Sequence, residues 1–160
     1  MAYFAKIGLN NKVIDVISVK NEVCFDADGN ENEEVGREFC ESLTHWPIWK
    51  KCSYNTRDGI HYQPDSDTPS EDQSKAFRKN MPCKGYEWNE DLDAFIRPKP
   101  PEGSYIFNST NCQWERPVAK PSDWNGQNYI WDEDAYQADN SQGWVALTTE
   151  QINQGGLQNN

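Results

Sequence analysis

The first nineteen residues hold two short apolar runs parted by a polar turn. Tyr3-Phe4-Ala5-Lys6-Ile7-Gly8-Leu9 precedes Asn10-Asn11, and Lys12-Val13-Ile14-Asp15-Val16-Ile17-Ser18-Val19 follows. Paired asparagines tolerate the left-handed backbone that a tight hairpin demands, so this pattern predicts a β-hairpin. The second run is β-branched and nearly continuous in apolar character, which makes it the expected central strand, covered on both faces. Asp26 to Asn30 reads as a polar turn. Glu31 to Leu43 then carries Val35, Phe39 and Leu43 at helical spacing with acids in its first turn, and predicts a short amphipathic helix on the hairpin. Trp46 to Tyr54 reads as a further strand, with Trp46 and Trp49 as core or subunit-contact residues. Tyr62 to Asn80 is rich in Pro, Ser and Asp and predicts a long loop of the docking-arm, insertion or partly disordered kind, with one helical turn over Ser74 to Arg78.

The second half repeats itself. Tyr86-Glu87-Trp88-Asn89, Tyr105-Ile106-Phe107-Asn108 and Tyr129-Ile130-Trp131-Asp132 share the form Tyr-x-aromatic-Asn/Asp, and start 19 and 24 residues apart. In the first two copies the next aromatic, Phe95 or Trp114, lies seven residues after Trp88 or Phe107. That spacing suits two short strands around a polar turn of about four residues. In the third copy Trp144 follows Trp131 by thirteen residues. Prolines separate the copies and cannot join a central ladder, which predicts hairpins strung in a line, each packing aromatics on the next. The expected fold class is α+β, mainly β. The expected segments are a hairpin, helix and strand over 1–60, a polar loop over 61–84, aromatic hairpins over 85–147 and an extended arm over 148–160.

Composition narrows the reading. Leu, Ile, Val and Phe number only 27 among 160 residues, while seven Trp, seven Tyr and six Phe supply large apolar surface. We therefore expect a thin aromatic core under a polar surface. A formal charge of −11 opposes binding to phosphate backbones and anionic lipid heads, so neither nucleic acid nor membrane is an expected partner. The amino-terminal MAYFAKIGLNNK has neither a basic region nor an apolar core of the signal-peptide kind, and synthesis in the cytosol without such export is expected.

Motifs of catalysis do not emerge. The sequence holds no Gly-rich phosphate loop, no H-E-x-x-H and no Gly-x-Ser-x-Gly, and the histidines His45 and His61 stand apart. Twenty-six acidic residues make chance carboxylate pairs uninformative as glycosidase signals. Asp26 to Glu34 resembles a calcium loop superficially, but Glu31 stands where the turn glycine belongs and Arg37 where the bidentate Glu belongs. The five cysteines form no Cys-x-x-Cys pair, and zinc through Cys52 with His45 or His61 lacks a closed-site spacing, so reduced, mostly buried thiols are expected. No cofactor or metal is expected, and no enzymatic activity. Repeated aromatic hairpins suit a sugar-binding module, or a structural protein that packs against copies of itself.

Three pieces carry a family resemblance: Ser53-Tyr54-Asn55-Thr56, Ala94-Phe95-Ile96-x-Pro98-Lys99-Pro100 and Cys112-Gln113-Trp114-Glu115-x-Pro117-Val118. With the opening hairpin and helix and the stretch YIWDEDAYQ, the chain from about Phe4 to Trp144 resembles small virion proteins of tailed phages of marine bacteria, cyanophage-like in character. It departs from them where Pro101-Glu102-Gly103-Ser104-Tyr105 replaces an aromatic and a Ser-Trp pair. The resemblance implies a virion role made in the host cytoplasm, and no catalytic residue. The expectation is a non-enzymatic structural component of a tailed phage particle, of the tail, baseplate or fibre rather than a capsid decoration. It would be homo-oligomeric in the particle and bound to other virion proteins. Trp88, Phe95, Phe107, Trp114, Trp131 and Trp144 are its candidate interface or glycan-contact residues. The alternatives are a glycan-binding host-recognition module of a tail fibre, with Trp88, Phe107, Trp114 and Trp131 as platforms, and an acidic host-directed inhibitor.

Overall fold

In the computed structural model, which describes residues 1–101 and 103–154, β1 (Ala2–Ile7) and β2 (Val13–Val19) form the expected antiparallel hairpin. Asn11 supplies the left-handed residue of its turn, at φ 59°. The strand order is β2-β1-β3, with β3 spanning Trp49–Cys52, so the central strand is β1 and the β-branched β2 lies at an edge. The expectation for β2 is thereby corrected. Small residues explain the reversal: Ala2 and Ala5 let neighbours approach both faces of β1. Ala2 and Phe4 join Val19, Cys24, Cys40 and Trp49 in one apolar cluster; Ala5 and Ile7 join Val13, Cys52, Trp88 and Phe95 in another. Each edge strand has one amide taken by a side chain, and Val13 of β2 also exchanges backbone hydrogen bonds with Gly85 and Tyr86. Asp15 Oδ1 accepts the Val16 amide at 2.9 Å on β2, and Glu33 Oε1 accepts the Lys51 amide at 3.0 Å on β3.

Helix α1 (Glu33–Thr44) covers the first face. Asn32 caps it by accepting from the Glu34 and Val35 amides, and His45 closes it in a left-handed conformation. Its buried stripe runs through Gly36 and Cys40 with Phe39, whereas Leu43, expected inside, is 62% exposed. The helix meets the sheet most closely at Gly36, where an added Cβ would lie 2.4 Å from Phe4 Cζ and 2.9 Å from Cys24 Sγ. That contact rotates Leu43 off the sheet.

The polar segment 62–80 is neither an arm nor helical over Ser74 to Arg78. It folds back on the short pair β4 (Thr56–Arg57) and β5 (Ile60–His61) through Ser70 N to His61 O at 2.8 Å, Gly59 N to Lys79 O at 2.9 Å and Met81 N to Thr56 O at 2.8 Å. Arg78 and Lys79 are both left-handed, at φ 60°. A two-pronged ion pair holds that turn: Arg78 Nη1 and Nη2 meet Glu33 Oε2 and Oε1 at 3.0 and 2.9 Å, and Nη1 also donates to Lys51 O at 2.6 Å. Arg78 Nε lies 3.4 Å from Asp93 Oδ1 without hydrogen-bonding geometry.

The repeat is visible in three dimensions. β6 (Glu87–Asn89) pairs with β7 (Ala94–Ile96), and β8 (Ile106–Asn108) with β9 (Gln113–Glu115), each across four residues that end on a left-handed one, Asp93 or Cys112. Trp88 and Phe95 sit 5.1 Å apart with planes at 56°; Phe107 and Trp114 sit 5.2 Å apart at 55°. In the third copy β10 (Tyr129–Trp131) pairs with β11 (Trp144–Ala146), Trp131 facing Trp144, and the extra residues form helix α2 (Glu133–Ala138). The fold is α+β and mainly β. Its compact units divide elsewhere than the expected segments: residues 1–99 with 107–114 form one, and 100–106 with 115 onward the other. Thr148 to Asn153 is not an extended arm but a capped turn of helix, α3 (Thr149–Asn153), with Thr148 and Gln151 in a capping box; residues 155–160 lie outside the described residues.

Candidate functional site

Of the six aromatic candidates, Trp88 and Phe95 are 5% and 0% exposed. They fill the cluster under the sheet and offer no face to a glycan or a partner, which removes them as contact residues. Phe107 and Trp114 are half-buried in the same unit, and Trp114 Nε1 donates to Arg97 O at 2.8 Å. Trp131 and Trp144, in the second unit, are half-buried too, with Trp144 Nε1 on Val118 O at 2.9 Å.

In that second unit a polar and aromatic cluster stands where an apolar core would be. The Arg116 guanidinium lies over Tyr105 at 4.0 Å and over Trp131 at 5.0 Å. Glu133 accepts from Trp131 Nε1, Ser104 N, Ser104 Oγ and Gln137 Nε2 at 2.7–2.9 Å. Those donors, Trp131 first, pull its carboxyl down to about 2. The arrangement fastens the Ser104 segment to α2.

The first unit has a buried hub that the sequence did not reveal. Asn80, 6% exposed, donates through Nδ2 to Phe95 O at 3.0 Å and Cys112 O at 3.4 Å. Its Oδ1 accepts from the Asp58 amide at 3.0 Å and Gln113 Nε2 at 2.6 Å. One amide thus joins β7, the β8–β9 turn and the β4–β5 turn.

In the same unit opens a cleft of about 530 Å³ whose walls include Tyr3, Tyr54, Tyr62, Phe77 and His61. Tyr54 stacks on Tyr3 with centroids 5.0 Å apart and 20° between planes, yet is 61% exposed; it also lines a second cavity of about 440 Å³. Behind His61 lie two buried hydroxyls. Thr56 Oγ1 is 2.9 Å from Lys75 O, 2.6 Å from Ser53 Oγ and 3.1 Å from His61 Nδ1. Thr56 has one proton, and only the carbonyl must receive it, so Ser53 donates to Thr56 and the imidazole proton sits on Nδ1. Nε2 is then the acceptor, and it has no protein partner among the described residues. Gln73 fixes the histidine backbone, accepting from His61 N and donating to His61 O at 2.9 Å each. This is not a nucleophile arrangement: Nδ1, which a hydrolytic triad gives to its carboxylate, is occupied by the hydroxyls, and Ser53 is buried.

The thiols are free. Cys24, Cys40, Cys52 and Cys112 are buried and Cys83 is exposed; burial pushes the Cys40 thiol up to about 11 and the Cys52 thiol up to about 12, which keeps both unreactive. Asp26, in the calcium-like stretch, spends its Oδ1 on the Asp28 and Asn30 amides, forming a turn. Among the described residues no helix is long and apolar enough to cross a membrane. Compared with protein families, curated proteins and solved structures, the chain matches none of them.

Proposed function

We propose that this chain is a non-enzymatic structural component of a tailed phage particle, of the tail, baseplate or fibre, present in several copies and bound to other virion proteins. The observation that supports it is where the most specific pieces of the resemblance lie. Two of them, residues 94–100 and 112–118, supply Phe95, Cys112 and Gln113 to the hydrogen bonds of Asn80, which lock hairpins together. Resembling residues spent on such packing suit a part whose task is to hold shape. Successive hairpins closed by their own aromatic pairs suit an elongated appendage, and the charge of −11 keeps unassembled subunits apart.

The test is quantitative mass spectrometry of density-purified particles of the virus that encodes the chain, with its copy number set against the major capsid protein. The reading expects a fixed stoichiometry at a low multiple of a threefold or sixfold set. Absence from the particles overturns it, and a copy number near that of the capsid protein moves the chain to the capsid surface.

A further inference from the structure

The cleft beside Tyr54 has features that packing does not explain. In a chain this poor in aliphatic residues aromatic rings belong inside, and among the described residues the other six tyrosines are at least partly covered. Tyr54 is the most exposed aromatic among the described residues, at 61% against 42% for Phe25 and 37% for Trp124, yet its ring is held flat against Tyr3. A platform so fixed needs no ordering when something lies on it. The volume of about 530 Å³ falls within the roughly 300–1,000 Å³ of small-ligand sites. Asn55, Gln63 and His61 line the cleft; the side-chain amides of the first two hold no hydrogen bond among the described residues, and His61 Nε2 is left as an acceptor by the hydroxyls behind it.

Lys51 is paired with Glu31 at 2.6 Å, and Lys75 and the Met1 amine line the cleft without an ion pair among the described residues. Two such cations set against a molecular charge of −11 favour a ligand with few or no acidic groups over a phosphate-rich one. A purely apolar ligand would bury the two amides and the imidazole unpaired. A pyranose ring meets both demands, because one face is a plane of C–H groups and its rim is a set of hydroxyls that donate and accept. We infer that this cleft is a saccharide-binding site, with Tyr54 as its stacking platform and Asn55, Gln63 and His61 Nε2 as its hydrogen-bonding groups. The assignment stands on the cleft alone and holds whether or not the chain is found in particles.

The full-length chain is applied to an array of neutral hexose oligosaccharides, acidic saccharides and bacterial lipopolysaccharides, and hits are repeated by calorimetry. Saturable binding is expected. Tyr54→Ala should weaken it at least about tenfold while thermal melting falls only slightly, since the ring's one packing contact is the stack on Tyr3. Gln63→Ala, which removes an exposed side chain with no internal partner, serves as a second variant and should weaken binding several-fold. Trp114→Ala should leave the affinity as it is. A silent array overturns the assignment, and so does a hit that survives both Tyr54→Ala and Gln63→Ala.

Discussion

Glu133 shows how one side chain takes over work that an apolar core does elsewhere. Its four donors all favour the ionised carboxylate, so the folded carboxyl, at about 2, lies below its ordinary 4.5. A depressed folded value gives stability that is complete above pH 4.5 and is lost as pH falls from there toward 2. Glu34, Asp72 and Asp139 shift in the same direction, so comparison with Glu133→Gln is needed to isolate the one group. In urea unfolding followed by tryptophan fluorescence, the stability gap between the two proteins should be constant near neutrality and close below pH 4.5. A gap that ignores pH across that window would mean the charge contributes nothing. At this scale the sequence was least readable. Asn80 and Arg78 lie in a stretch whose composition looks solvated, and their partners are 15 to 45 residues distant. Phe95 and Trp114 occupy the same place in the repeat, and only tertiary packing makes the first a core residue and leaves the second half-covered.

Among the elements, the hairpins were legible because a cross-strand aromatic pair recurs at seven residues in the first two copies, and the pair survives in the third, where α2 stretches the spacing to thirteen. Strand order was not, because an apolar run reports burial without saying which neighbours supply it. β2 has the richer run, but β1 has the alanines that admit a layer on each side. The same close approach decides the fate of Gly36. By helix propensity alone, Gly36→Ala would stabilise α1 by about 1 kcal/mol. The added methyl would instead strike the Phe4 ring and the Cys24 sulfur, and the net effect should be a loss of about 1–3 kcal/mol by chemical denaturation. Placed in a Phe4→Leu background, which withdraws the ring atom nearest to it, the substitution should cost measurably less. Equal costs in both backgrounds would show that the ring is not what resists it.

At the scale of the molecule, the amino-terminal unit is not a continuous stretch. It takes residues 107–114 from beyond the proline-rich link, and Asn80 is the polar joint through which they attach. A fragment of residues 1–99 should therefore unfold at lower denaturant and less cooperatively than one of residues 1–115, because it leaves the Asn80 amide and the Ile96 side of β7 without the Cys112 turn. Matching unfolding curves for the two fragments would make the late hairpin dispensable. The discontinuity also sets a timetable. At roughly 5–20 residues per second, a ribosome reaches Trp114 about 3 to 12 seconds after Cys52, the last residue of the sheet, and until then the first unit waits with its joint open.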